Sequence, residues 1–301
     1  MQKSYPAPDP PPDLTPGLSG TRRMQARILE AESRETPRAF MAVLRTLRRD
    51  PSAAGLIAEN ETRQFLARVW WPQSYVRQDF GPDVTLFRGR KHPGGRRLLV
   101  AVTALWGRMT VPTPVFLQSV LARDWDVLLL RDGARTHYRR GCAGYADSFP
   151  ALAERVAGLA SGYAGCCAMG TSMGGLTAIR LALQIPGARG VSVGGRAAAD
   201  IARLFQDRFA GLAFDPLCAC LPEASRDLVF LHGGDNVHDR RVARQFAEIT
   251  GGQRIGLRDM KAHAILADFW RQGTLKPALA ALMDQRLTGG RLARSLAGIV
   301  G

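Results

Sequence analysis

The chain has 301 residues, 46% of them hydrophobic, which is enough to bury one large core or at most two modest ones. Its five cysteines are odd in number, two of them adjacent, and they form no recognisable disulfide framework, so a reducing compartment is expected. The formal charge of +15 comes almost wholly from arginine, only Lys3, Lys91, Lys261 and Lys276 being lysine. With no basic run interleaved with aromatics, no zinc finger and no helix-turn-helix, nucleic acid is not expected as the partner.

Residues 1–20 carry six prolines by position 16 and no apolar h-region, so they read as a disordered leader and not as a signal peptide. No later stretch has about 18 uninterrupted apolar residues, which predicts no transmembrane segment and a cytoplasmic protein. Residues 21–75 are patterned as helix: in "PRAFMAVLRTLRR" Phe40, Met41, Val43, Leu44 and Leu47 fall on one side, and Arg45, Arg48 and Arg49 on the other. From residue 84 the period changes. Short runs rich in Val, Leu and Ile at 84–88, 97–104, 126–131, 165–170, 190–195, 227–233 and 253–259 read as strands. Between and after them, segments at 114–123, 148–161, 174–185, 197–209, 238–250 and 264–285 read as helices, the last with a break near Gly273. Nearly continuous apolar strands separated by crossover helices predict an α/β domain over 84–290, a mostly parallel sheet with helices on both faces, preceded by the helical extension. The tail, 291–301, is mildly amphipathic and reads as a surface helix.

The stretch "GCCAMGTSMGGLTAIRL", residues 165–181, is where chemistry enters. A strand ending at Met169 or Gly170 and a helix starting near Gly174 leave about three residues to reverse direction, which puts Ser172 on a tight, strained bend. Gly170 and Gly174 suit such a bend because side chains there would strike the neighbouring elements. The hydroxyl is then exposed above the carboxyl edge of the sheet, beside the Met173 N–H and the positive end of the following helix.

A serine hydroxyl needs a base, and the base needs a carboxylate to hold its tautomer. On a sheet of this kind the order is serine, acid, histidine. His92 and His137 precede the serine, and His232 ends a strand; of the remaining two, His263, in the loop after the last strand, suits the base better than His238 at a helix start. For the acid, Asp235 lies close behind its strand in "LVFLHGGDNVHDRRV", while Asp239 reads as a helix-start charge that suits the dipole. Asp235 is therefore the expected partner of His263.

With the "GTSMGG" bend, "VFLHGGDN" and "KAHAIL" in that order, the region from about 84 to 290 resembles the α/β-hydrolase superfamily. The resemblance implies a Ser–Asp–His triad and hydrolysis or transfer of an acyl group, without fixing the substrate. Where such enzymes often carry a His-Gly pair after the strand at 97–104, this chain has "TALWGRM", so the backbone of Ala104 or Leu105 is the candidate for a second oxyanion donor beside Met173. The resulting expectation is a serine esterase cleaving a short acyl ester. Acyl transfer to a saccharide or other hydroxyl acceptor, or a non-catalytic scaffold of the same fold, are the alternatives.

Trp106 and Arg131 are candidate substrate contacts, although for Trp70, Trp71 and Trp106 packing in the core is the expected role. Arg108, Arg131, Arg139 and Arg140 all start at carboxyl ends of strands, and their field suits an anionic ester. The short 195–226 connection leaves little room for a lid, which predicts a shallow pocket. Cys166 and Cys167 read as buried strand hydrophobes. Cys218 and Cys220 lack partner ligands, so neither a metal nor a cofactor is expected.

Overall fold

A computed structural model describes residues 20–89, 95–197, 227–258, 260 and 262–300. The Pro-rich leader, the 197–209 helix beyond Ala197, His92, and Cys218 and Cys220 lie outside the described residues. So does nearly all of the 195–226 connection on which the expected lack of a lid rests.

Four helices open the described chain: α1 (Gly20–Arg34), α2 (Pro37–Leu47), α3 (Ala54–Glu59) and α4 (Glu61–Ala67). Thr36 caps α2 by accepting from the Ala39 N–H, and Asn60 caps α4 by accepting from the Arg63 N–H. Their apolar stripes, Met24, Ile28, Phe40, Leu44, Leu47, Ile57 and Leu66, close on one another as a small separate core. Eight strands follow in the order β1-β2-β4-β3-β5-β6-β7-β8: β1 (Tyr75–Asp79), β2 (Val84–Gly89), β3 (Arg97–Val102), β4 (Trp125–Leu130), β5 (Gly165–Thr171), β6 (Arg189–Val193), β7 (Leu228–Gly233) and β8 (Gln253–Leu257). The first two are antiparallel to their neighbours and the rest are parallel.

Alternate residues of each central strand serve opposite faces. Leu98, Val100 and Val102 of β3 join the core under α6 (Phe149–Ala160), α7 (Met173–Ala182) and α8 (Val237–Thr250). Leu99 and Ala101 join the core under α5 (Thr113–Ser119), α9 (Ile265–Arg271), α10 (Leu275–Met283) and α11 (Gly289–Val300). This two-sided burial is why the strands read as unbroken apolar runs. The helical layer α1, α2 and α4 packs on α5.

Three readings need correction. The edge strand β1 was not expected, because in "YVRQD" only Tyr75 is buried and the rest present little apolar signal. The tail is a helix, but Leu292 and Leu296 are fully buried, so α11 is part of the core and packs on β8 and α10. Trp70, Trp71 and Trp106 are exposed by 85%, 75% and 58%, so none is a core residue. Cys166 and Cys167, by contrast, are free, buried strand residues, and burial pushes both thiols well above their usual pKa.

Candidate active site

Ser172 stands between β5 and α7 with φ 50 and ψ −114, a left-handed backbone that a non-glycine residue adopts only where its surroundings force it. The bend is held by the Ser172 N–H donating to the Val193 carbonyl at 3.0 Å. A side chain on Gly170 would strike the Gly174 carbonyl, and one on Gly174 would strike the Val102 and Thr103 carbonyls at the end of β3. Both glycines are thus required by close backbone approach, and the second brings the start of α7 against the β3 end.

Ser172 Oγ lies 2.7 Å from His263 Nε2, and His263 Nδ1 lies 2.8 Å from Asp239 Oδ2. The structure brings together the expected serine and histidine with Asp239; Asp235 is an exposed turn residue, and His263 does not pair with it. The reason is the brevity of the connection. Asn236 caps α8 by accepting from the Asp239 N–H, so the helix begins within four residues of the end of β7, and its first turn still stands at the sheet edge. Asp239 is the helix-start acid that the dipole favours and also the acid that reaches the histidine.

Two glycines that sequence reasoning did not single out make room for this pair. A Cβ on Gly194, which has φ 56, would come within 2.8 Å of the His263 carbonyl, 3.2 Å of Asp239 Oδ2 and 3.3 Å of His263 Nδ1. One on Gly233 would lie 2.5 Å from the Met260 carbonyl and 3.2 Å from that of Ala262, in the segment leading to His263. The signal available in the sequence was a glycine pair at the end of each of β6 and β7. The Asp239 side chain is 1% exposed and that of His263 31%, so the carboxylate is dry while the imidazole reaches solvent.

The Met173 N–H is the first of α7, where no intrahelical acceptor exists. Of the two candidates after β3, Ala104 is removed: its N–H donates to the Arg108 carbonyl at 2.8 Å and closes a turn. Leu105 is left as the candidate second donor. Trp106 stays exposed at this edge, with the Arg135 guanidinium 5.8 Å from its ring centroid.

Arg131 is not available as a substrate contact. It is buried, its guanidinium donating to the Ser33 carbonyl at 2.9 Å and to Thr85 Oγ1 at 3.2 Å, and burial together with Arg34 and Arg77 lowers its pKa to about 10. Arg108 likewise points to α1, donating to the Leu29 carbonyl and Ser33 Oγ and pairing with Glu32. Both arginines fasten the N-terminal helices to the sheet edge. Glu32 completes the fastening by accepting from Asn60 and Thr62.

The loop after β4 brings buried His137, at φ 54, against the Met173 backbone, and burial with the Arg139 and Arg196 charges lowers its pKa from 6.5 to about 4. Between those two values the unfolded chain binds a proton that the folded chain does not, so stability falls as pH drops from about 6.5 to about 4, by on the order of 3 kcal/mol. The variant His137→Asn, which tolerates a left-handed backbone, should flatten that part of the urea-unfolding profile between pH 7 and 4. An unchanged slope would assign the acid sensitivity to other groups.

Among the described residues, no three His, Cys, Asp or Glu side chains are grouped to hold a metal, and no helix is long and apolar enough to cross a membrane. The sheet order, the crossover helices and the strand-bend-helix around Ser172 define an α/β-hydrolase-like fold. Solved structures similar to this chain include AbyA5, at 15% identity over 94% of each chain with a TM-score of 0.49. They also include the Staphylococcus aureus fluorophosphonate-binding serine hydrolase FphF, at 12% identity over 71% of this chain and 100% of that one with a TM-score of 0.45. A dienelactone hydrolase from Anabaena variabilis matches at 18% identity over 67% of this chain and 97% of its own, with a TM-score of 0.41. No family model and no curated protein matches the sequence.

Proposed function

We propose that the protein is a serine hydrolase acting on a small carboxylic ester, with Ser172 as nucleophile, His263 as general base and Asp239 as its orienting acid. The observation that carries this is the unbroken chain Ser172 Oγ, His263, Asp239 with spacings of 2.7 and 2.8 Å, on a bend whose backbone is strained at the serine. Such spacing allows proton transfer, and the strain is what exposes the hydroxyl.

In this reading the Ser172 oxygen attacks the ester carbonyl while His263 Nε2 takes its proton. Asp239 accepts the Nδ1–H and stabilises the imidazolium. The tetrahedral oxyanion lies against the Met173 N–H and, as second donor, the Leu105 N–H. Collapse breaks the carbonyl–alkoxy bond, and His263 returns the proton to the leaving alcohol. Water reaching the solvent-facing imidazole then attacks the acyl-enzyme with His263 again as base, releasing the acid and restoring Ser172.

A fluorophosphonate probe followed by intact-mass measurement should add one phosphonyl group to the folded protein and none to Ser172→Ala. Labelling elsewhere, or none at all in folded protein, would remove the hydrolase reading.

A further inference from the structure

Among the described residues, one guanidinium at the edge beside Ser172 is attached to the bend itself, and the reaction above does not use it. Arg196 follows the end of β6 by three residues, and its backbone N–H donates to the Ser172 carbonyl at 3.3 Å, which fixes it next to the strained bend. Its Nη1 lies 3.2 Å from Nε2 of His238, the residue before Asp239 on the first turn of α8. Its charge also reaches His137 on the loop after β4. The guanidinium therefore stands at the edge where Ser172 is exposed, between the helix that supplies the acid and the loop that touches Met173.

Its charge is unpaired among the described residues. Among the described residues no carboxylate pairs with Arg196, and the buried acid nearby, Asp239, is committed to His263. The other ring nitrogen, Nδ1, lies 3.2 Å from Arg241 Nη2, and a neutral imidazole has a single lone pair, so His238 accepts from one of the two guanidinium groups and neutralises neither. At least four N–H groups of the Arg196 fork therefore remain, in the geometry that takes a carboxylate through two parallel hydrogen bonds. Arg108 and Arg131, whose charges the sequence also placed at this edge, are turned inward to α1, so the cationic character of the mouth rests on other residues, with Arg196 the one attached to the bend itself.

We propose that Arg196 is a specificity-determining residue that receives a carboxylate carried by the substrate, so that the preferred substrate is an ester bearing a free acid group a few bonds from the scissile carbonyl. This rests on Ser172 being the nucleophile.

The test compares two 4-nitrophenyl esters, the monoester of glutaric acid and the neutral butyrate, on the wild-type protein and on Arg196→Gln, whose backbone N–H is kept. The ratio of kcat/KM for the acidic ester over the neutral one should fall by about tenfold to a hundredfold in Arg196→Gln, mainly through KM of the acidic ester. The salt dependence of the acidic ester should flatten in the same variant. Arg196→Lys, which retains the charge but not the fork, should recover only part of the ratio. A ratio unchanged within about twofold, with Ser172 still labelled by the fluorophosphonate, overturns the role of Arg196 and leaves the hydrolase reading standing. If Arg196→Gln loses labelling because the bend has collapsed, the same ratio measured on Arg196→Lys decides. Absence of both labelling and turnover in the wild-type protein overturns the hydrolase reading and this inference with it.

Discussion

Asparagine in place of Asp239 should lower ester turnover by about ten-thousandfold, whereas Asp235→Asn should leave it within a few fold. The loss comes from the histidine tautomer. With a carboxylate 2.8 Å from His263 Nδ1, the ring carries its proton there and offers an unprotonated Nε2 to the Ser172 hydroxyl 2.7 Å away. An asparagine can turn its NH2 toward Nδ1, which then becomes the acceptor and forces the proton onto Nε2, where it blocks the serine. It also has no charge with which to stabilise the imidazolium. Asp235, exposed on the turn, has neither effect on the ring. Steady-state kinetics on both variants, with circular dichroism to confirm folding, separates the two, and the reverse ranking would return the acid to Asp235.

The same pair shows where the sequence could be read and where it could not. The bend was legible because its requirements are local: an apolar run, two glycines that backbone approach demands, and a helix start, all within a few residues of Ser172. The seven expected strands, and the expected helices that fall within the described residues, were legible because both faces of the sheet are covered, so burial is nearly continuous along the central strands. β1 was not, since an edge strand with one buried residue leaves no period to detect.

The choice between Asp235 and Asp239 turned on where a helix begins relative to the sheet edge. A capping Asn236 moves the edge-facing position from the loop into the first helical turn. Arg108 and Arg131 were misplaced for a different reason. Their position at strand ends is a local property, but their inward contacts depend on α1, a segment 75 to 98 residues earlier in the chain, folding over them. Such long-range cover is invisible in a pattern read along the chain.

Arg189 makes a second prediction of large effect, this time on stability. It opens β6 and is fully buried, yet every one of its guanidinium N–H groups is used: Nε and Nη2 donate to the two Asp227 carboxylate oxygens, Nη1 to the Leu282 and Asp284 carbonyls, and Nη2 also to the Leu287 carbonyl. These carbonyls belong to the end of α10 and the turn before α11, so one side chain ties the C-terminal helices to the sheet. Arg189→Met should cost about 3–5 kcal/mol in urea unfolding, because it removes the charge partner of Asp227 and leaves carbonyls without a donor. Asp227→Asn should cost less, about 2 kcal/mol: the buried guanidinium loses its counter-charge, but the asparagine oxygen still accepts one N–H, and at 18% exposure water can replace part of the rest. Three of the five donors serve carbonyls that the aspartate never touches, so the double variant should be little better than Arg189→Met alone. Equal losses from the two single variants, or strong rescue in the double, would show that the ion pair and not the carbonyl contacts carries the fastening.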